Sequence, residues 1–183
     1  PAALPAPAWP TAAADPEFHL SAADFARIRE LIHARAGISL HEGKQAMVYS
    51  RLSRRLRETR HPDFAAYLGA LERQSGPAAD AEWQEFVNCL TTNLTSFFRE
   101  EHHFHALRDD LLTRRGAPLR IWCAAASTGE EPYSIAMTVA ETLGSAASQV
   151  PLLCTDIDTK VLASARRGGY DAAARGLSPE RLR

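Results

Sequence analysis

Residues 119–158 read LRIWCAAASTGEEPYSIAMTVAETLGSAASQVPLLCTDID, and the spacing of their apolar positions changes three times. Residues 119–125 (LRIWCAA) form a short continuous apolar run and predict a buried strand. Residues 130–143 turn to helical spacing, residues 150–155 (VPLLCT) predict a second strand, and residues 158–167 predict a second helix. A βαβα order requires a crossover between parallel strands, which places this part of the chain in the α/β class.

The turn between the first strand and its helix, residues 124–132 (AAASTGEEP), is made of very small side chains with Pro132 in the first helical turn. Small residues let a ligand approach the backbone, and a helix N-terminus offers unpaired N–H groups. The turn has no second glycine and no lysine, and Glu130 and Glu131 repel phosphate, so a ligand there should carry hydroxyls or positive charge. Small residues equally serve close helix–strand packing, and the turn alone leaves both readings open. The second strand ends in Thr155-Asp156-Ile157-Asp158, with Asp156 lying 27 residues after Gly129. An acid at that strand tip, usually about 20 residues after the glycine turn, accepts hydrogen bonds from ribose hydroxyls. Asp158 has a local duty as the N-cap of the next helix; Asp156 has none.

Upstream, residues 96–114 predict a long amphipathic helix with Phe98, Phe104, Leu107 and Leu111 on one face. It follows the polar cluster Asn93-Leu94-Thr95-Ser96, which also reads as a helix cap with Arg99 paired to a nearby acid such as Glu100 or Glu130. Glu101, His102, His103 and His105 lack the spacing of a metal-binding helix, so no metal is expected. Further upstream lie four helical patterns. The first starts at a Ser21 cap with Asp24 and stops at Gly37; the second covers about residues 44–60 with Val48, Leu52 and Leu56 inward and Arg51, Arg54, Arg55 and Glu58 on the opposite face. A third follows Pro62-Asp63 and buries Phe64, Tyr67, Leu68 and Leu71; the fourth, about residues 81–91, buries Trp83, Phe86, Val87 and Leu90, after a loop at Ser75-Gly76-Pro77. Together they predict a small helical bundle over residues 20–91, preceded by an Ala/Pro tail over residues 1–19 that buries too little to order.

The whole chain has 183 residues, 45% hydrophobic and 23% charged, enough for one domain or two small ones. Its net charge of -1 gives no general attraction to nucleic acid or an anionic membrane. Residues 20–76 nevertheless carry ten basic and six acidic side chains, while residues 77–183 carry eleven and fourteen. No apolar stretch reaches the roughly 20 residues of a membrane span. Cys89, Cys123 and Cys154 are odd in number and sit in apolar runs, which suits buried thiols in a reducing compartment and a cytoplasmic protein.

Three strings, LTTNLTSFFREEHHF (90–104), RIWCAAASTGEEPYSIAM (120–137) and LCTDIDTKVLASARRGGY (153–170), resemble the CheR family. These are S-adenosyl-L-methionine-dependent methyltransferases that esterify glutamates on bacterial chemoreceptors. The basic segment KQAMVYSRLSRRLRE (44–58) is also similar. The resemblance implies a helical N-terminal domain followed, over residues 92–183, by the first part of a Rossmann-like cofactor-binding sheet. It implies that Asn93, Thr95 and Arg99 line the methionine and adenine side of the cofactor, that Glu130 takes its amino group and that Asp156 takes its ribose hydroxyls. Arg99 is then also the candidate catalytic residue, aligning the substrate carboxylate or the cofactor.

The implied partner is a methyl-accepting chemotaxis receptor, whose acidic helical bundle would meet Arg51, Arg54 and Arg55; nucleic acid and direct membrane insertion are not expected. A glutamate with a pKa of about 4.3 is already ionised at neutral pH, so the chemistry needs alignment more than a base. Family members continue past the second βα unit with the rest of the sheet. A chain stopping at Arg183 is therefore expected to be a fragment or a truncation completed by oligomerisation. The alternative is a non-catalytic module that binds an acidic helical partner through its basic helix.

Overall fold

Ser21 opens the first helix, α1 (Ala22–Ala36), with a reciprocal cap: its hydroxyl accepts the Asp24 N–H while the Asp24 carboxylate accepts the Ser21 N–H. The computed structural model describes residues 17–114, 116–171, 174–178 and 180–181. Gly37 ends α1 at φ 68°, a conformation that costs glycine nothing. A single 3-10 turn (Glu42–Lys44) then leads into α2 (Gln45–Thr59). Asp63 caps α3 (Phe64–Arg73) by accepting the Ala66 N–H.

The next helix, α4, spans Pro77–Leu90 and starts several residues before the expected 81. Pro77 sits at its first position, where a missing N–H is no loss and the fixed φ favours the helix; Ser75-Gly76-Pro77 is therefore a helix start as well as a turn. Ile28, Ile32, Val48, Leu52, Leu56, Phe64 and Phe86 from the four helices are all 0% exposed and form one core. Each such side chain contributes about 1.5–3 kcal/mol through burial, which is what holds the bundle.

Residues 1–16 of the expected Ala/Pro tail lie outside the described residues. At residues 17–19 the chain is already packed: the Phe18 ring meets Phe64 edge-on at 6.3 Å, and Glu17 pairs with Arg57 at 2.8 Å. An aromatic with a core partner offsets its ordering entropy.

The expected helix over 96–114 is shorter, α5 (Glu101–Thr113), because Phe98 and Glu100 adopt φ 51° and 57° and break the helical path. Strands β1 (Ile121–Cys123) and β2 (Leu152–Cys154) pair in parallel with Trp122 opposite Leu153. They are joined by α6 (Glu130–Leu143) and a 3-10 segment (Gly144–Gln149) and followed by α7 (Thr159–Arg167). The architecture is α/β: a helical domain, then a helix-packed parallel pair. Phe104 and Leu111 from α5 and Ile135 and Val139 from α6 meet Cys123 in a second core. The strands are shorter than expected and buried on that face alone, since Trp122 is 66% and Leu153 61% exposed on the other.

Candidate functional site: a cleft between the helical domain and the strand tips

Beyond Cys123 the two strands continue as a short ladder without regular strand geometry: Thr155 N–H donates to Cys123 O at 3.0 Å and Ala126 N–H to Thr155 O at 2.9 Å. This brings the small-residue turn beside the Asp156 carboxylate. One Asp156 oxygen accepts the Ser127 N–H at 2.7 Å and the other accepts the Asp158 N–H at 2.9 Å. Each oxygen keeps a lone pair for a further donor. Gly129, at φ 106°, is required here on two counts. Its backbone is left-handed, and a Cβ would lie 2.3 Å from the Tyr170 hydroxyl, which itself donates to Thr128 O at 2.8 Å.

The segment between α4 and α5 forms the other wall. Thr91 Oγ1 and Asn93 Nδ2 donate to one oxygen of Asp158 at 2.7 and 2.6 Å, across 67 and 65 residues of sequence. Phe98, left-handed and non-glycine, is held by its N–H to Ser134 Oγ at 3.0 Å and by ring contacts with Phe104 and the Arg181 guanidinium. Such backbone strain persists only where neighbours over-determine it. Arg99, next in the chain, is exposed and donates to Leu94 O at 2.8 Å. Among the described residues it makes no ion pair, so the pairing with Glu100 or Glu130 considered from sequence is not what orients it.

Between these walls lies a cleft of about 510 Å³ lined by Asn93, Thr95, Arg99, Ser127, Glu131 and Asp156, with Leu40, Lys44 and Met47 closing it from the helical domain. Four of the five cofactor residues expected from sequence therefore face one space. The fifth, Glu130, does not line it: its carboxylate accepts the Thr128 hydroxyl at 2.6 Å, and the neighbouring Glu131 lines the cleft instead. Adjacent helical residues point about 100° apart, which sequence position alone does not resolve at a helix's first turn.

The three arginines expected to face a partner part company. Arg51 is turned inward and donates to Cys89 O at 3.3 Å and to Thr91 O, fastening α2 to the end of α4. Arg55 is 18% exposed and forms a two-pronged pair with Glu82, whose carboxylate also accepts the Tyr67 hydroxyl at 2.8 Å. Burial opposes the charge on Glu82, but hydrogen bonds from Arg55 and Tyr67 outweigh it and hold its carboxyl below the usual range. Arg54 alone of the three stands out in solvent, 66% exposed and 3.6 Å from Glu58. A stripe opposite Val48, Leu52 and Leu56 is broad enough to touch neighbouring helices at its edges, which is why the charged face is not uniformly solvated.

The thiols are buried or half-buried as expected, and burial, with Glu131 nearby, pushes Cys123 up to about 12, so it holds its proton. Sequence reading missed Thr91, Tyr170 and Glu82, whose partners are remote in the chain. Asp158 was visible as the α7 cap, which it is, accepting the Lys160 N–H at 2.9 Å, but its second role was not.

The family model described as "CheR methyltransferase, all-alpha domain" matches residues 23–91, and "CheR methyltransferase, SAM binding domain" matches residues 93–183. The chain belongs to the CheR family. CheR relatives include the chemotaxis protein methyltransferase of Escherichia coli (strain K12), 52% identical over 164 residues, which are 89% of this chain and 56% of the relative. Chemotaxis protein methyltransferase 2 of Pseudomonas aeruginosa is 55% identical over 158 residues, 84% of this chain and 54% of its own length. That of Borreliella burgdorferi is 34% identical over 157 residues, 80% and 54% of the two chains. The chain spans about half the length of the curated CheR relatives it matches. Matching both the all-alpha and the cofactor-binding domains favours the methyltransferase reading over a non-catalytic module.

Proposed function

We propose that this chain binds S-adenosyl-L-methionine in the cleft between its two halves, and that the cleft serves methyl transfer to glutamate carboxylates of a cytoplasmic chemoreceptor surface. The observation that carries the reading is the convergence of Asn93, Thr95 and Arg99 from the α4–α5 segment with Asp156 from the tip of the second strand on one space of about 510 Å³. Small-molecule pockets run from about 300 to 1,000 Å³. The donor set suits this cofactor: Asp156 has free lone pairs for ribose hydroxyls, and an acid at the start of α6 suits an ammonium where a phosphate would be repelled.

When bound, S-adenosyl-L-methionine would supply a methyl group on positively charged sulfur to a substrate carboxylate oxygen, the new ester C–O bond being balanced by return of the C–S bonding pair to sulfur. The chain's own residues orient and shield. Arg99 presents a permanently charged, two-pronged donor at the rim, suited to a carboxylate of either reactant. Leu40 and Met47 keep bulk water from one wall. The partner surface we assign to the solvent-facing part of α2, where Arg54, exposed beside Glu58, is placed to meet an acidic helical bundle. Titration calorimetry with S-adenosylmethionine and with S-adenosylhomocysteine tests the reading. Affinity in the micromolar range is expected, and no heat at millimolar ligand would refute it.

A further inference from the structure

The Asp158 side chain is 3% exposed and sits where the helical domain joins the strand tips. One oxygen accepts Lys160 N–H at 2.9 Å and Val161 N–H at 3.3 Å, the ordinary duty of an N-cap. The other oxygen accepts Thr91 Oγ1 at 2.7 Å and Asn93 Nδ2 at 2.6 Å, and these belong to the segment that leaves α4. Its backbone N–H meanwhile donates to Asp156 at 2.9 Å. A single residue thus holds Asn93 through its side chain and Asp156 through its main chain, two polar residues that both line the cleft.

The same junction is laced by other polar contacts. Gln84 Nε2 donates to Ile157 O at 2.8 Å, Asn88 Nδ2 to Thr159 Oγ1 at 3.1 Å, and Lys160 pairs with Glu85. All of these lie toward solvent. Among the described residues Asp158 is the one charged group of this junction that is buried, and a buried carboxylate gives up far more when a donor is lost than an exposed one does.

We propose that Asp158 is a positioning residue for the cofactor site: its carboxylate fixes Asn93 on the lining that also carries Asp156, so cofactor affinity depends on the Asp158–Thr91–Asn93 link and not merely on the α7 cap. The inference rests on the cofactor reading above. Asn and Asp cap helices about equally well, so Asp158→Asn keeps the cap. It also removes the negative charge, and its amide cannot accept from Lys160, Val161, Thr91 and Asn93 together. Thr91→Val leaves the cap untouched and deletes one donor of the link.

Calorimetry with S-adenosylmethionine, thermal melting and hydrogen exchange are to be run on the parent chain and both variants. The expected result is about tenfold weaker binding in each variant, with faster amide exchange over residues 91–95 and unchanged protection of α7. Parent-like exchange over 91–95 in both variants, or parent-like affinity in both, overturns the proposal. If the parent itself binds no cofactor, the functional reading fails. The exchange data then still decide whether Asp158 holds the junction: loosening of 91–95 keeps the link, and its absence removes it.

Discussion

The Asp156 carboxylate accepts the Ser127 backbone N–H at 2.7 Å, tying the tip of the second strand to the turn that follows the first. The acid is thereby oriented before any ligand arrives, with a lone pair of each oxygen directed elsewhere, and orientation in advance reduces the entropy cost of binding.

Replacing Asp156 by alanine should weaken S-adenosylmethionine and S-adenosylhomocysteine by the same amount, because both present the same ribose. A loss on the order of 1–3 kcal/mol is expected. Calorimetry with both ligands checks it, and equal affinity in variant and parent would remove Asp156 from the site.

Glu130 and Glu131 can be told apart. Glu131 lines the cleft whereas Glu130 accepts the Thr128 hydroxyl, so Glu131→Gln should reduce cofactor affinity directly. Glu130→Gln should act mainly by loosening the turn, lowering the melting temperature with a smaller change in affinity. A cofactor that is lost only on Glu130→Gln, with melting unchanged, would restore Glu130 as the group that meets its ammonium.

Arg99→Lys keeps the charge but not the fork. In an enzyme of the relatives' full length it should slow methyl transfer more than it weakens cofactor binding, since a displacement of about 1 Å can cost about a hundredfold in rate. Arg99 makes no ion pair among the described residues, so the melting temperature should stay at the parent value. Transfer rate, affinity and melting measured on one preparation separate these outcomes; a fully active lysine variant excludes the role.

On α2, charge reversal should split by exposure. Arg54→Glu should weaken association with an acidic receptor bundle, most visibly at low salt, without altering cofactor affinity. Arg55→Glu should instead destabilise the helical domain by on the order of 2 kcal/mol or more, because it leaves Glu82 facing another carboxylate. Pull-down at two salt concentrations and melting curves of both variants provide the comparison.

The Arg55–Glu82–Tyr67 cluster also predicts a pH dependence. The Glu82 carboxyl lies below its unfolded value of 4.5, so its contribution to stability is present above that pH and is lost as pH falls through the folded value. Melting followed from about pH 6 down to about pH 3 should show the parent losing stability faster than Glu82→Gln, which has no charge to lose. Parallel curves would show that the cluster contributes nothing to acid sensitivity.

Reading along the chain suffices for the helices and for the α/β order, because their signals are local. A capping serine and its partner Asp24 are three residues apart, a glycine stop is one residue, and the stripes of Val48, Leu52 and Leu56 repeat within one helix. It fails where two local rules compete, as at Gly76-Pro77, and where backbone strain at Phe98 and Glu100 is imposed by packing from outside the segment. The cleft is of another kind. Asn93 meets Asp158 across 65 residues and Ser127 meets Asp156 across 29, and no periodicity encodes a contact at such distances. Burial settles the rest: a guanidinium on a helix faces solvent or a neighbour according to what packs beside it. Arg54 stays out because nothing covers it, while Arg51 and Arg55 find carbonyls and a carboxylate that compensate their desolvation.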